Sequence, residues 1–213
     1  MRARISFAVV AFAVAGALPT TARAGEADVK TAALGGREIT VSIRGGALTS
    51  PASSYRADAE AFGFTGLGNA GGFTAQAGYE IHDRVVLGVT YSRFIAKSMR
   101  RLSTLSLEMS ALLGGVDYTI ARAAWGEKQR WRLLVNASLA AGAYFLDEKF
   151  DERTRSVQGY GVRVGADVAI FYRSVGFVLG FAYHGSQATL NDLIGGKMDA
   201  AGFEVTAGLA FRI

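Results

Sequence analysis

From residue 160 to its end, the chain alternates apolar residues with small or charged ones at every second position. A period of two is the period of a β-strand, in which successive side chains point to opposite faces. In the terminal segment GFEVTAGLAFRI, one face carries Phe203, Val205, Ala207, Leu209, Phe211 and Ile213. The other face carries Glu204, Thr206, Gly208, Ala210 and Arg212. The chain is therefore limited to folds in which a sheet has one apolar face and one small or polar face.

Eight segments share this pattern. The predicted strands cover residues 37–48, 72–81, 85–94, 105–120, 131–145, 157–171, 175–184 and 202–213. Turns are predicted near Asp83, Gly126 and Arg173, of which the middle one, residues 121–130, is longer than usual for such a barrel. Loops are predicted at residues 49–70, 96–101, 146–156 and 185–200. In the fourth segment we assign residues 105–113 to the outward apolar face, and we predict a bulge at Gly114 and Gly115 that shifts the alternation.

The composition of the polar face favours a barrel in a lipid bilayer. A soluble sheet buries its apolar face against another layer, whereas a membrane barrel turns that face toward lipid and packs small and polar side chains inside. The polar face of this chain is rich in glycine, which suits a narrow interior. The sequence therefore predicts an all-β fold, an eight-stranded antiparallel up-and-down transmembrane β-barrel. A soluble lipocalin-like barrel with the two faces reversed is the alternative.

The first 24 residues have the pattern of a cleaved secretory signal, because Arg2 and Arg4 precede an apolar run and Ala22-Arg23-Ala24 ends the segment. We expect a signal peptide at residues 1–24, a short periplasmic lead-in at 25–36 and the barrel at 37–213. Three of the 23 basic residues lie in the signal, so the remainder of the chain has 20 basic and 18 acidic residues. This near balance argues against a nucleic-acid partner. The chain has no cysteine, so no disulfide supports the fold.

The predicted barrel resembles the eight-stranded bacterial outer-membrane proteins typified by OmpA and OmpX. The resemblance covers residues 37–213 and is strongest in the terminal strand, where Phe211 is the aromatic residue and Ile213 the last one. It implies an outer-membrane location, contact with outer-membrane lipid and lipopolysaccharide, and recognition of the terminal strand by the barrel-assembly machinery. We expect a porin-like monomer with a structural or surface-interaction role.

Charged residues of both signs are predicted to face the interior. They are Arg44, Glu80, Glu108, Arg132, Arg163, Asp167, Glu204 and Arg212. Buried charges are tolerated when they are paired, and an eight-stranded barrel has room for side chains and little else. We therefore expect a cross-linked polar plug. The first alternative is a narrow pore that opens when the charge pairs exchange partners.

One short motif, His184-Gly185-Ser186, resembles the His-x-Ser of the outer-membrane lipid A deacylases, which place that pair late in an eight-stranded barrel. A serine nucleophile needs a base and an acid that orients the base. Gln187 stands where that family carries Asn, and Met198 stands where it carries the acid, which leaves Asp199 or Glu204 as the substitute. We predict no catalytic site. A lipid A-modifying hydrolase that uses His184, Ser186 and Glu204 is the second alternative.

Three basic residues, Lys97, Arg100 and Arg101, cluster at one predicted rim of the barrel. Guanidinium and ammonium groups bind phosphate oxygens well, so this cluster could contact the phosphates of lipopolysaccharide. The alternative is that these residues only keep a tight loop soluble. No cluster of His and Cys suggests a metal site, and we predict neither a metal nor a cofactor.

Overall fold

The eight alternating segments form strands, and the described residues contain two further short strands in the last loop. The computed structural model describes residues 38–49, 59–61, 63–64, 67, 69–100, 103–186, 189–191, 197–199 and 201–213. The strands are β1 (Ile39–Thr49), β2 (Asn69–His82), β3 (Val85–Arg100), β4 (Ser103–Trp125), β5 (Trp131–Phe150), β6 (Arg153–Tyr172), β7 (Val175–Ser186), β8 (Thr189–Asn191), β9 (Lys197–Asp199) and β10 (Gly202–Arg212). The predicted signal peptide and lead-in, residues 1–36, lie outside the described residues.

Eight of the strands close a barrel in the order β1-β10-β7-β6-β5-β4-β3-β2, and each pairs antiparallel with its neighbours. The seam joins β1 to β10 in a regular register from Thr40↔Arg212 to Thr49↔Phe203. Ile39 and Ile213 exchange two backbone hydrogen bonds of 2.9 Å at its end. β8 and β9 form a separate hairpin. The predicted eight-stranded up-and-down barrel is confirmed.

Two ends of the barrel can be distinguished by their connections. The turn end carries the two-residue turn 83–84, the turn 126–130 with a short 3-10 helix at Glu127–Gln129, and the two-residue turn 173–174. All three lie near the predicted positions, and the middle one is shorter than predicted because β4 continues to Trp125. The loop end carries the connections 50–68, 101–102, 151–152 and 187–201. The second and third of these are much shorter than predicted, because β3 to β6 continue past the predicted strand ends.

The exterior of the barrel is apolar, as predicted. The exposed large apolar residues include Val41, Leu87, Val89, Leu139, Val164, Leu179, Phe181, Val205 and Leu209. Exposed aromatic residues stand toward both ends of the strands, among them Phe73, Tyr91, Phe145, Tyr183 and Phe203 toward the loop end and Tyr79, Trp131, Tyr172 and Phe211 toward the turn end. Such belts are typical of barrels that span a bilayer. Within the described ranges, no helix has the length and apolar character needed to cross a membrane.

The predicted orientation of β4 is wrong. Leu105, Leu107, Met109, Ala111 and Leu113 are buried inside the barrel, and the pairing with β3 continues without a shift through Gly114 and Gly115. The irregularity lies further on, between Thr119 and Ala121 in the pairing with β5. The reason is that the interior near the loop end is itself apolar. These side chains pack there against Phe94, Tyr144, Leu146 and Leu48, and against Ala59, Phe64 and Leu67 of the first loop.

Candidate functional site

The middle of the barrel interior holds a buried polar network centred on Glu204 of β10. Arg163 of β6 donates to both carboxylate oxygens of Glu204, from Nε at 3.1 Å and from Nη2 at 3.1 Å. Thr74 of β2 donates to Oε1 at 3.0 Å, and His184 Nε2 of β7 lies 2.6 Å from Oε2. Arg163 and Glu204 are almost fully buried. The carboxylate therefore ties β10 to three other strands, of which β2 and β6 are not its neighbours.

His184 is held at both ring nitrogens. Its Nε2 lies 2.6 Å from Glu204 Oε2, and because a carboxylate only accepts hydrogen bonds, Nε2 donates there. Its Nδ1 lies 3.0 Å from the Tyr144 hydroxyl, which also lies 3.1 Å from the Val162 carbonyl oxygen. Glu204 therefore accepts from Arg163 on one side and from the His184 ring on the other.

Two further chains of hydrogen bonds lie beside this centre. Arg44 Nη2 donates to Gln76 Oε1 at 2.8 Å, and Gln76 Nε2 donates to Asp117 Oδ2 at 2.5 Å. Asn136 Nδ2 donates to Asp167 Oδ1 at 3.0 Å, while Asn136 Oδ1 accepts from Thr119 at 2.9 Å. The middle layer thus brings the side chains of Arg44, Arg163 and His184 together with the carboxyl groups of Asp117, Asp167 and Glu204.

A second ionic layer lies toward the turn end. Arg212 pairs with Glu38, and its Nη2 lies 3.4 Å from Glu80 Oε2. Arg132 Nη1 lies 3.2 Å from Glu38 Oε1. Phe171 is buried next to this layer, with the Arg212 guanidinium carbon 5.5 Å from its ring centroid. Each ionic layer therefore contains an Arg–carboxylate pair between segments that are not neighbours in the ring, Arg163–Glu204 in the middle and Arg132–Glu38 at the turn end.

An apolar layer separates the middle network from the loop end. Phe94 and Tyr144 meet the His184 ring edge-on, with centroid distances of 6.3 and 5.9 Å. The buried β4 side chains continue this layer, and Phe64 from the first loop packs edge-on against Phe150 at 5.8 Å. His184 is 0% exposed. The interior is thus filled in layers: mainly apolar at the loop end, where Glu148 is also buried, and charged in the middle and at the turn end.

Seven of the eight charged residues predicted to face the interior do so. Glu108 is the exception. It lies on the outward face of β4, where its carboxylate forms a two-point pair with Arg93 of β3, at 2.7 Å from Nε and 3.0 Å from Nη2. The reversed phase of β4 explains the error. The sequence analysis also missed Glu38, Asp117 and Tyr144, although the alternation of β4 after Gly115 already places Asp117 on the inward face.

The three residues of the catalytic alternative are only partly brought together. His184 and Glu204 form a close acid–base pair. The other ring nitrogen of His184, which would have to activate the nucleophile, faces the Tyr144 hydroxyl and not Ser186. With Nε2 on Glu204 and Nδ1 on Tyr144, neither ring nitrogen is placed to take a proton from Ser186. The geometry is therefore that of a buried hydrogen-bonded pair.

The predicted basic cluster lies at the loop end of β3. Lys97 and Arg100 are exposed there, and Arg101 lies outside the described residues. In the part of the chain that the structure describes, no group of three or more His, Cys, Asp or Glu side chains is placed to hold a metal ion.

The closed antiparallel ring and the apolar exterior define the class of fold, the eight-stranded transmembrane β-barrel of bacterial outer-membrane proteins. Ail, the attachment invasion locus protein of Yersinia pestis, has a similar structure, with a TM-score of 0.51 and 14% identity over 83% of this chain and 99% of that one. Its complex with the heparin analogue sucrose octasulfate gives a TM-score of 0.50 over the same shares. Neisserial surface protein A gives 0.47, with 16% identity over 82% of this chain and 96% of that one. No protein-family model matches the sequence, and no curated protein matches it.

Proposed function

We propose that the protein is a closed, non-conducting barrel of the bacterial outer membrane with a structural or surface-interaction role. The observation that carries this proposal is the two-point pair between Arg163 and Glu204. Together with the Thr74 contact it connects β6 through β10 to β2, on opposite sides of the ring, and Phe94 and Tyr144 pack above it. An eight-stranded barrel is only wide enough for its own side chains. Ions could pass only if this pair separated.

The contacts of Glu204 argue against the gated-pore alternative. The carboxylate has Arg163, His184 and Thr74 as partners, and all three are buried. Leaving one charge of a buried pair without its partner costs about 3–5 kcal/mol. Opening would also have to displace the apolar layer above the network. The hydrolase alternative gains no support either, because neither ring nitrogen of His184 faces Ser186.

The proposal is tested by conductance in planar bilayers. Closure of the barrel is first established by a gel-mobility difference between boiled and unboiled samples, both for the protein in outer-membrane fractions and for the refolded protein that is used in the bilayers. We expect no discrete current steps from the closed barrel. Steps that change in size in Glu204→Gln but not in Glu108→Gln would contradict the proposal and support a pore through the middle network. A lipid A mass profile that differs between wild type and Ser186→Ala would support the hydrolase.

We further propose that Lys97 and Arg100 contact lipopolysaccharide phosphates, with Arg101 beside them in the sequence. Both described side chains are exposed near the loop end, beyond the row of exposed aromatic residues that includes Tyr91. Loss of co-purified lipopolysaccharide in Lys97→Gln/Arg100→Gln would support the contact, and retention would contradict it.

We also propose that β10, with Phe211 exposed near its end, is the segment that the assembly machinery recognises. Phe211→Ala should then accumulate as unfolded protein in the periplasm.

A further inference from the structure

Three aromatic side chains form a row across three adjacent strands at the turn end. Trp125 of β4 is the register partner of Trp131 of β5, which is the partner of Tyr172 of β6. The two indole rings stack, with centroids 6.4 Å apart and an interplanar angle of 8°. The centroids of Trp131 and Tyr172 are 5.0 Å apart. All three are exposed by 41–45% on the outward face. We call this row the aromatic ladder.

The local fold of the β4–β5 connection places the ladder. The pairing shifts between Thr119 and Ala121, after which β4 continues to Trp125. The turn that follows contains Gly126, Lys128 and Gln129 with positive φ. It is joined to the β6–β7 turn by a hydrogen bond of 2.7 Å from the Arg173 backbone N–H to the Arg130 carbonyl. The two turns therefore form one continuous rim below the ladder.

This rim is cationic. Its two turns carry Lys128, Arg130 and Arg173 against Glu127, and the remaining turn at this end of the barrel adds Arg84 and Asp83. Among the described residues, the only ion pair that involves these three turns joins Asp83 to Arg122, at 3.9 Å. The Arg173 guanidinium carbon lies 5.6 Å from the centroid of the Tyr172 ring. A guanidinium that stacks on an aromatic ring keeps its N–H donors available for a planar or tetrahedral oxyanion.

We propose that Arg130 and Arg173, together with the aromatic ladder, bind the phosphate of an anionic phospholipid in the leaflet that faces the periplasm. The inference rests on the proposed outer-membrane location. Aromatic rings prefer the depth of the bilayer interface, and Arg side chains reach beyond them to the headgroups. A cation near an anionic membrane surface contributes about fivefold in affinity. Two such cations should produce a clear preference for anionic over zwitterionic lipid.

The position of the ladder favours lipid over a polysaccharide such as peptidoglycan. The next outward residues on β5 and β6 are the register partners Leu133, which is half-buried, and Ile170, which is exposed, so the ladder continues the apolar exterior. A ring platform for sugars would instead stand in water on both sides. Along the strands, the apolar surface comes first and the cations follow at its end. A phospholipid has the matching order, since its phosphate follows its acyl chains.

The test uses intrinsic fluorescence, because the chain contains two tryptophans and both belong to the ladder. The full protein is reconstituted in phosphatidylcholine vesicles that contain an equal mole fraction of brominated phosphatidylglycerol or of brominated phosphatidylcholine. Bromine quenches tryptophan on contact. We expect the anionic lipid to quench several-fold more efficiently. The preference should disappear in Arg130→Gln/Arg173→Gln and shrink at high salt, because the interaction is exposed to solvent ions.

The matched control is Lys149→Gln/Arg153→Gln, which removes two exposed cations at the loop end and should leave the preference intact. Equal quenching by both lipids overturns the proposal, and so does a preference that survives in Arg130→Gln/Arg173→Gln. A shift of the emission by soluble peptidoglycan fragments, without lipid preference, overturns it in favour of a glycan. If neither lipid quenches and boiled and unboiled samples migrate alike, the barrel itself has not inserted, and the proposed function fails as well.

Discussion

The chain offers two ion pairs of the same geometry in opposite surroundings, which makes the energetic role of the interior network measurable. Arg163–Glu204 and Arg93–Glu108 both use Nε and Nη2 on two carboxylate oxygens. The side chains of the first pair are 3% and 0% exposed, and those of the second 44% and 17%. The substitution Glu204→Gln preserves size but leaves Arg163 buried without an anion.

We expect Glu204→Gln to lower the free energy of unfolding by about 3–5 kcal/mol, the range found when one partner of a buried pair is removed. That loss corresponds to two to four orders of magnitude in the ratio of folded to unfolded protein. Glu108→Gln should change stability little, since exposed pairs are screened and hydrated. The network is also expected to tolerate joint replacement, so Arg163→Leu/Glu204→Leu should be less destabilised than Glu204→Gln.

The assay is reversible urea unfolding in detergent micelles or thin vesicles. The folded fraction is read from the migration of unboiled samples, and the free energy is obtained by linear extrapolation. Equal midpoints for Glu204→Gln and Glu108→Gln would refute the reasoning, because burial would then make no difference. If Arg163→Leu/Glu204→Leu is less stable than Glu204→Gln, apolar side chains cannot replace the charged pair. That result would contradict the argument that an unpaired buried charge is what destabilises Glu204→Gln.

Two further outcomes follow from packing and hydrogen bonding. Tyr144→Phe removes the hydroxyl between His184 and the Val162 carbonyl and should lower the free energy of unfolding by about 1–3 kcal/mol in the same assay. Tyr183→Phe, on the outward face, is the control. Equal urea midpoints for the two variants would contradict the role given to the Tyr144 hydroxyl. Gly208→Val should abolish the heat-modifiable folded band, since a Cβ at Gly208 meets the backbone of Ile43 and Arg44 on β1, whereas Gly114→Val should fold because a Cβ there meets nothing within 4 Å. A folded Gly208→Val barrel would mean that β1 and β10 are packed less closely than described.

The strands and the turn end were predictable because local signals agree there. The turn at residues 83–84 separates two runs of clear alternation, and so does the turn at 173–174. The orientation of β4 was not predictable from alternation alone. Leu105 to Leu113 give the same period whether they face lipid or the lumen, and the deciding partners, such as Phe94 and Tyr144, lie on other strands.

The same limit applies to the polar network. Parity placed seven of the predicted charges in the interior, but it could not say which of them pair. Glu204 meets Thr74 on β2 and Arg163 on β6, which are 130 and 41 residues away. Such partners are set by the stagger of the closed barrel, a property of the whole ring. His184 was noticed for its sequence neighbour Ser186, whereas its actual partners are Tyr144 and Glu204.

The seam between β1 and β10 joins the first barrel strand to the last, so it can form only when all the others are in place. Glu204 lies on one side of this seam, and its partner Thr74 lies on β2, beyond the other side. In a sheet that is still open, this carboxylate remains hydrated, and its contacts with β2 arise only upon closure. Interactions absent until the last step leave the folding rate almost unchanged and slow unfolding instead. The Glu204 carboxylate should therefore slow unfolding, and it should set the lifetime of the closed barrel.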